Sequence, residues 1–300
     1  MIRRALGLAL VVGALAVGLG LTDRSVRVVP THHAELLQAG DSWVRALRTG
    51  AGDTTLVLVH GYGEHLLTWR SVVDPLSQRY RVVAFDLPGF GASEKPAGPY
   101  TLAAMSSRVA DFLSRWTTPP VILVGHSMGG EIAAEVALAH PELVQGLILI
   151  APAGLRIGLG PFTGGMGPGR AAAIGIWEAA RAFITPLHDP DWLSEPDSLA
   201  RYDPTRDGAY RHSTAKVLEE FDFRGIGERF SGIRQPTLVI WGTSDPVVPV
   251  GVADSLAGMI PCHKLVRLNR TLHRPHFERP DTVVALISRF LAEPNCHPTP

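Results

Sequence analysis

The chain has 300 residues, 46% apolar and 19% charged, enough to bury a large core and too apolar for a disordered chain. Lys plus Arg and Asp plus Glu each total 28, so no excess of positive charge points to nucleic-acid binding. The length allows one large α/β domain or two small ones.

Met1-Ile-Arg-Arg4 precedes eighteen uncharged positions, 5–22, rich in Leu, Val, Ala and Gly. As a helix this run would span roughly 27 Å, slightly less than a hydrocarbon core. It reads either as an uncleaved anchor or as a cleaved export signal. In the second case Arg3 and Arg4 form the positive region and Ala14-Leu-Ala16 the cleavage site. The run continues to Leu21, beyond that cut, which favours the anchor. Two arginines precede it and two follow closely, so flanking charge leaves its orientation open. The expectation is a membrane attachment through 1–22, with the remaining domain outside the cytoplasm, or secreted if the segment is cut. A protease-protection assay that found the domain inside would refute it.

A polar linker is read over 23–38. Ser42-Trp-Val-Arg-Ala-Leu47 alternates like a half-buried antiparallel strand, and Gly50-Ala-Gly-Asp53 is a turn. Thr55-Leu-Val-Leu-Val59 is a continuous apolar run, as expected of a strand covered on both faces. It ends in His60-Gly61-Tyr62-Gly63. A helix is predicted over 68–79, a strand over 81–85, and then the loop Asp86-Leu-Pro-Gly-Phe-Gly-Ala-Ser93. An amphipathic helix over 101–116 starts at a Thr cap.

Val121-Ile-Leu-Val124 then runs into Gly125-His126-Ser127-Met128-Gly129, and an Ala-rich helical pattern follows at once. This is a G-x-S-x-G nucleophile elbow with a strand before it and a helix after it. Ser127 must sit on a sharp, strained turn with its hydroxyl projecting. Side chains at 125 and 129 would collide across that turn, so glycine occupies both places. The helix N-terminus aims N–H groups at the same spot.

Another buried strand spans 144–150. From Ala151 the texture changes, with seven glycines in 154–169 and breaks at Pro186, Pro190, Pro196 and Pro204. The strand–helix rhythm resumes at Pro236. Strands are predicted over 237–241 and 263–268, and helices over 250–259 and 280–291. Residues 155–233 therefore read as an insertion between core segments 23–154 and 234–300. The alternation implies a mostly parallel sheet with helices on both faces, and chemistry at the C-terminal ends of the strands.

A nucleophile needs a base, and twelve histidines are available. Position selects His273, a few residues after the last strand, with His276 as rival. Asp245 follows the strand ending at Trp241 and can orient an imidazole. The chain order Ser127, Asp245, His273 is that of a hydrolase sheet.

On these residues the sequence resembles the α/β-hydrolase superfamily, in its cap-bearing branch of esterases, lipases and C–C bond hydrolases. The motifs are His60-Gly61-Tyr62, Asp86-Leu-Pro-Gly-Phe-Gly91, Gly125-His-Ser-Met-Gly129, Trp241-Gly-Thr-Ser-Asp245 and His273-Arg-Pro-His-Phe-Glu278. The family's H-x-P-x-x-E-x-P pattern places its catalytic His at His273, with Pro275, Glu278 and Pro280 in register. Leu272 stands where the family usually has Gly. The resemblance implies an acyl-enzyme mechanism in which Ser127 attacks, His273 moves the proton and Asp245 fixes the tautomer. It implies oxyanion donors at the backbone N–H groups of Tyr62 and Met128, a structural Glu278 and no cofactor.

The expected activity is hydrolysis of lipophilic carboxylic esters. Cleavage of β-diketone-type C–C bonds, a perhydrolase, and a non-catalytic binding protein on the same fold are the alternatives. The insertion should cap Ser127. Its apolar residues, among them Phe162 and Trp177, either line an acyl or aryl site or pack the cap onto the body.

His126 is expected to be buried and hydrogen-bonded with its ring turned from the nucleophile. His60 is expected to prop the oxyanion turn, Asp86 its own loop, and Glu131 and Glu135 structural or solvated positions. His32 and His33 lack ligand partners nearby, and no metal is assigned. Cys262 and Cys296 are either a disulfide, which export would permit, or two free thiols.

Overall fold

The computed structural model describes residues 34–155 and 208–293. The apolar run at 1–22, Cys296, and the first part of the insertion with Phe162 and Trp177 lie outside the described residues. Eight strands occur among the described residues: β1 (Glu35–Ala39), β2 (Ser42–Thr49), β3 (Thr55–Val59), β4 (Arg81–Phe85), β5 (Val121–His126), β6 (Val144–Ile150), β7 (Thr237–Gly242) and β8 (His263–Leu268). They form one sheet in the order β1-β2-β4-β3-β5-β6-β7-β8. β1 and β2 are antiparallel, as are β2 and β4; every other neighbour pair is parallel.

The helices are α1 (Arg70–Ser77), α2 (Leu102–Trp116), α3 (Met128–Ala139), α4 (Gly208–Glu220), α5 (Gly251–Met259), α6 (Pro275–Glu278) and α7 (Pro280–Ala292). Strand side chains alternate across the sheet, so Val57 and Val59 face one layer and Leu56 and Leu58 the other. The first layer holds α2, α3 and α5, through Phe112, Ile132 and Leu256. The second holds α1 and α7, through Val73, Leu76, Ile287 and Phe290. Burial of each such side chain stabilises the fold by about 1.5–3 kcal/mol. Because both faces are covered, β3, β5 and β7 are buried along their whole length. This is the physical cause of their unbroken apolar sequences.

Residues 35–39 correct the linker expectation. Glu35-Leu-Leu-Gln-Ala39 does not alternate, yet it pairs with β2 as an edge strand, Leu36 opposite Arg45 and Ala39 opposite Ser42. Gly40, at φ 60°, makes the two-residue turn between them, a conformation that favours glycine. The helix predicted over 68–79 begins earlier, as a 3-10 turn at Leu66–Trp69 that passes into α1. The Thr101 cap is present, its hydroxyl accepting from the Ala104 N–H at 3.2 Å. Cys262 is disulfide-bonded, which removes the free-thiol alternative for this residue. Among the described residues no helix is long and apolar enough to cross a membrane.

The described part of the insertion is held to the loops at the sheet's C-terminal edge. In α4, Ser213 donates to the Gly89 carbonyl at 2.6 Å, and Glu220 accepts from the Tyr100 N–H at 2.7 Å. Tyr62 donates through its hydroxyl to the Thr214 carbonyl at 3.2 Å.

Candidate active site

Ser127 joins β5 to α3 with φ 52° and ψ −118°, backbone that a non-glycine residue holds only when its surroundings enforce it. The enforcement is visible. Its N–H donates to Ile150 at 3.0 Å, and its carbonyl accepts from Ala153 at 3.0 Å. A Cβ at Gly125 would lie 2.4 Å from the Gly129 carbonyl oxygen, across the turn as expected. Gly129 is constrained differently. A Cβ there would meet the carbonyl oxygens of Val59 and His60, at 2.3 and 2.4 Å, so the end of β3 rather than the elbow itself excludes a side chain.

Asp245 and His273 meet. Asp245 Oδ2 lies 2.7 Å from His273 Nδ1, while Oδ1 accepts from the N–H groups of Val247 and Val248 at 2.8 and 2.9 Å. One oxygen thus anchors the carboxylate to its own loop and the other orients the imidazole. Burial lowers the His273 pKa below its usual value, and the Asp245 hydrogen bond works against that shift. The ring is therefore neutral near pH 7, the state a general base needs. The rival, His276, does not reach Asp245. Its Nε2 lies 3.3 Å from Thr68 Oγ1 and its ring packs on Trp69 at 4.3 Å.

The loop around His273 is clamped from both sides. Glu278 accepts from the Leu272 N–H at 2.7 Å and from the Arg274 N–H at 3.0 Å. Leu272 replaces the usual glycine without obstruction, because its side chain is 51% exposed. From behind, His126 Nε2 bonds the His273 carbonyl at 2.9 Å. His126 is buried and hydrogen-bonded, as expected, and it joins the residue beside Ser127 directly to the histidine loop.

His60 props the turn after β3. Its Nδ1 donates to the Gly61 carbonyl at 2.8 Å and its Nε2 accepts from the Leu87 N–H at 2.9 Å. Burial lowers its pKa, and with both nitrogens committed it has no proton to exchange. The Gly61–Tyr62 turn lies against the elbow, since a Cβ at Gly61 would be 3.2 Å from Ser127 Cβ. Met128, the first residue of α3, is fully buried. Asp86 shapes its loop by accepting from Leu66 at 2.6 Å, Ala92 at 2.8 Å and Arg45 Nε at 2.8 Å. Glu131 is buried, and burial raises its pKa well above the carboxylate range; its Oε1 accepts from the Gly225 N–H at 2.8 Å. Glu135 pairs with Arg229 at the surface.

Sequence reasoning passed over Glu64. The available signal was an acid in the short turn His60-Gly-Tyr-Gly-Glu64, directly after a wholly apolar strand. Glu64, His126 and His276 each bring a ligand-type atom within 4.8 Å of the others. His126 commits one nitrogen to the His273 carbonyl and the other to Glu64, at 2.9 Å each, so no lone pair on its ring faces a cation.

A mostly parallel sheet with a serine elbow after β5, an acid after β7 and a histidine after β8 defines a hydrolase of the α/β class. The sequence profile of the alpha/beta hydrolase family matches residues 56–286, and the chain belongs to that family. It is similar to the pimeloyl-[acyl-carrier protein] methyl ester esterase of Edwardsiella ictaluri, 29% identical over 266 residues, covering 80% of this chain and 94% of the relative. It is similar to a monoacylglycerol lipase of Mus musculus, 27% identical over 260 residues, covering 79% of this chain and 75% of the relative. Among solved structures it resembles a serine hydrolase involved in carbazole degradation. That likeness has TM-score 0.70 and 27% identity, and covers 87% of this chain and 99% of the other.

Proposed function

We propose that this protein is a serine hydrolase of carboxylic esters carrying an apolar acyl group, working through an acyl-enzyme. Ser127 Oγ attacks the ester carbonyl while His273 Nε2 takes its proton. Asp245 holds the Nδ1–H tautomer and stabilises the imidazolium. The backbone N–H groups of Tyr62 and Met128 hold the oxyanion, and each such donor is worth about 3 kcal/mol in the transition state. His273 then returns the proton to the leaving alcohol, and water repeats the sequence to release the acid.

The observation that carries this reading is the 2.7 Å bond between Asp245 and His273, on a loop tied by His126 to the residue beside the elbow serine. The preference for acyl esters draws support from the esterase and lipase relatives. We further propose that residues 1–22 attach the protein to a membrane, where a lipid-like substrate would be met.

The test is turnover of nitrophenyl esters of increasing chain length, beside a dione substrate. Ester hydrolysis that disappears in Ser127→Ala, with a fluorophosphonate probe labelling only the wild type, is the expected result. A drop on the order of 10⁴-fold or more is expected. Full activity in Ser127→Ala ends the reading, and dione cleavage without ester cleavage moves the protein to the C–C hydrolases.

A further inference from the structure

A second carboxylate–imidazole couple lies behind the elbow, and the triad makes no use of it. One oxygen of Glu64, Oε2, is 2.9 Å from the Gly61 nitrogen and 2.9 Å from His126 Nδ1. The remaining ring nitrogen, Nε2, is 2.9 Å from the His273 carbonyl. A carbonyl oxygen can only accept, so Nε2 donates. Burial opposes charge on Glu64, yet the His126 charge and hydrogen bond, with His276 and Arg274, hold its carboxyl well below the usual range. The group is therefore a carboxylate that can only accept, and Nδ1 donates as well. The His126 side chain is 1% exposed and that of Glu64 10%, so little water weakens the pair.

We propose that Glu64 is the positioning residue of this site. Through one oxygen it fixes the Gly61–Tyr62 turn and, by way of a doubly protonated His126, the main chain of His273. The proposal rests on the triad reading above. Two loops must converge on Ser127, one ending in Tyr62 and one carrying His273, and both are tied to a single shielded negative charge.

The chemistry requires a carboxylate. In Glu64→Gln an amide oxygen at this place keeps the Gly61 bond but leaves His126 with no counter-charge for its second proton. An amide nitrogen at this place can bond a neutral His126 but faces the Gly61 N–H donor to donor. Either arrangement loosens one of the two loops. The charged and titratable groups around the couple are His60, His273, His276 and Arg274, with Asp245 on the far side of His273. The charge on His126 opposes protonation of His273, while Asp245 and, more weakly, Glu64 favour it.

The experiment compares ester kinetics of the wild type, Ser127→Ala and Glu64→Gln across pH. In Glu64→Gln, kcat falls about tenfold or more while KM changes far less. The acid limb of kcat/KM moves to higher pH, because a positive charge on His126 that adds to burial in opposing protonation of His273 is lost. A folded Glu64→Gln protein with wild-type kcat and an unmoved acid limb overturns the proposal. So does a loss of thermal stability alone. Should the variant not fold, the wild type decides: imidazole nitrogen shifts near pH 7 show both His126 nitrogens protonated, and a single neutral tautomer overturns the assignment. Esterase activity surviving in Ser127→Ala removes the triad and this proposal together. An inactive Ser127→Ala beside an unaltered Glu64→Gln removes only this one.

Discussion

The serine side and the histidine side of the proposed site are held by different physics. Ser127 is placed by its immediate neighbours: a strand, a helix, two glycines and a backbone at φ 52° that hard contacts make obligatory. His273 sits on a loop between β8 and α6, where no regular hydrogen-bond ladder fixes the chain. Side chains do so instead, with Glu278 bonding the N–H groups on both sides of it, Asp245 its ring and His126 its carbonyl. Sterics among neighbours are rigid and tolerate no added atom. A loop held by hydrogen bonds can be loosened in steps. The two halves of the proposed site should therefore fail in different ways when mutated.

The largest effect is expected on the serine side. Gly129→Ala drives a methyl group into the backbone oxygens of Val59 and His60 in a central strand. A loss of about 3 kcal/mol or more follows, read from the denaturant midpoint, with activity lost alongside folding. A Gly129→Ala protein as stable as the wild type would show that the steric account is wrong.

On the histidine side the effect should be smaller and kinetic. Glu278→Ala removes the acceptor for two N–H groups near the surface, so kcat is expected to drop about tenfold with little change in melting temperature. A large fall in stability with unchanged kcat would instead place Glu278 in the fold alone.

The smallest effect sharpens the comparison away from both loops. Glu131 stays protonated because burial raises its pKa well above the carboxylate range. A raised carboxyl contributes stability that is fully present below its unfolded value of about 4.3 and is lost as pH rises toward the folded value. Glu131→Gln keeps an acceptor for the Gly225 N–H without that loss. Melting temperatures should match near pH 4 and diverge in favour of the variant as pH rises. Parallel melting curves across that range would contradict a protonated Glu131.

Legibility followed the same division. The apolar runs of β3, β5 and β7 and the glycines around Ser127 were readable because burial on both faces and a sharp turn leave direct marks on consecutive residues. Asp245 and His273 were readable as polar residues just past strand ends. β1 was not, because an edge strand needs little apolar content and takes its register from β2. The Glu64 couple was not, because its meaning depends on His126 and His273, and His126 and His273 stand 147 positions apart.

By itself the sequence determined the alternation of strands and helices, the elbow, and which residue types stand at strand ends. Each of these is a local demand of backbone geometry or of burial. Only the tertiary structure decided that Glu278 and His126 hold the His273 loop, that β3 excludes a side chain at Gly129, and that Glu64 serves two loops. Hydrogen bonds and close contacts between distant segments exist only once the sheet has brought those segments to one edge.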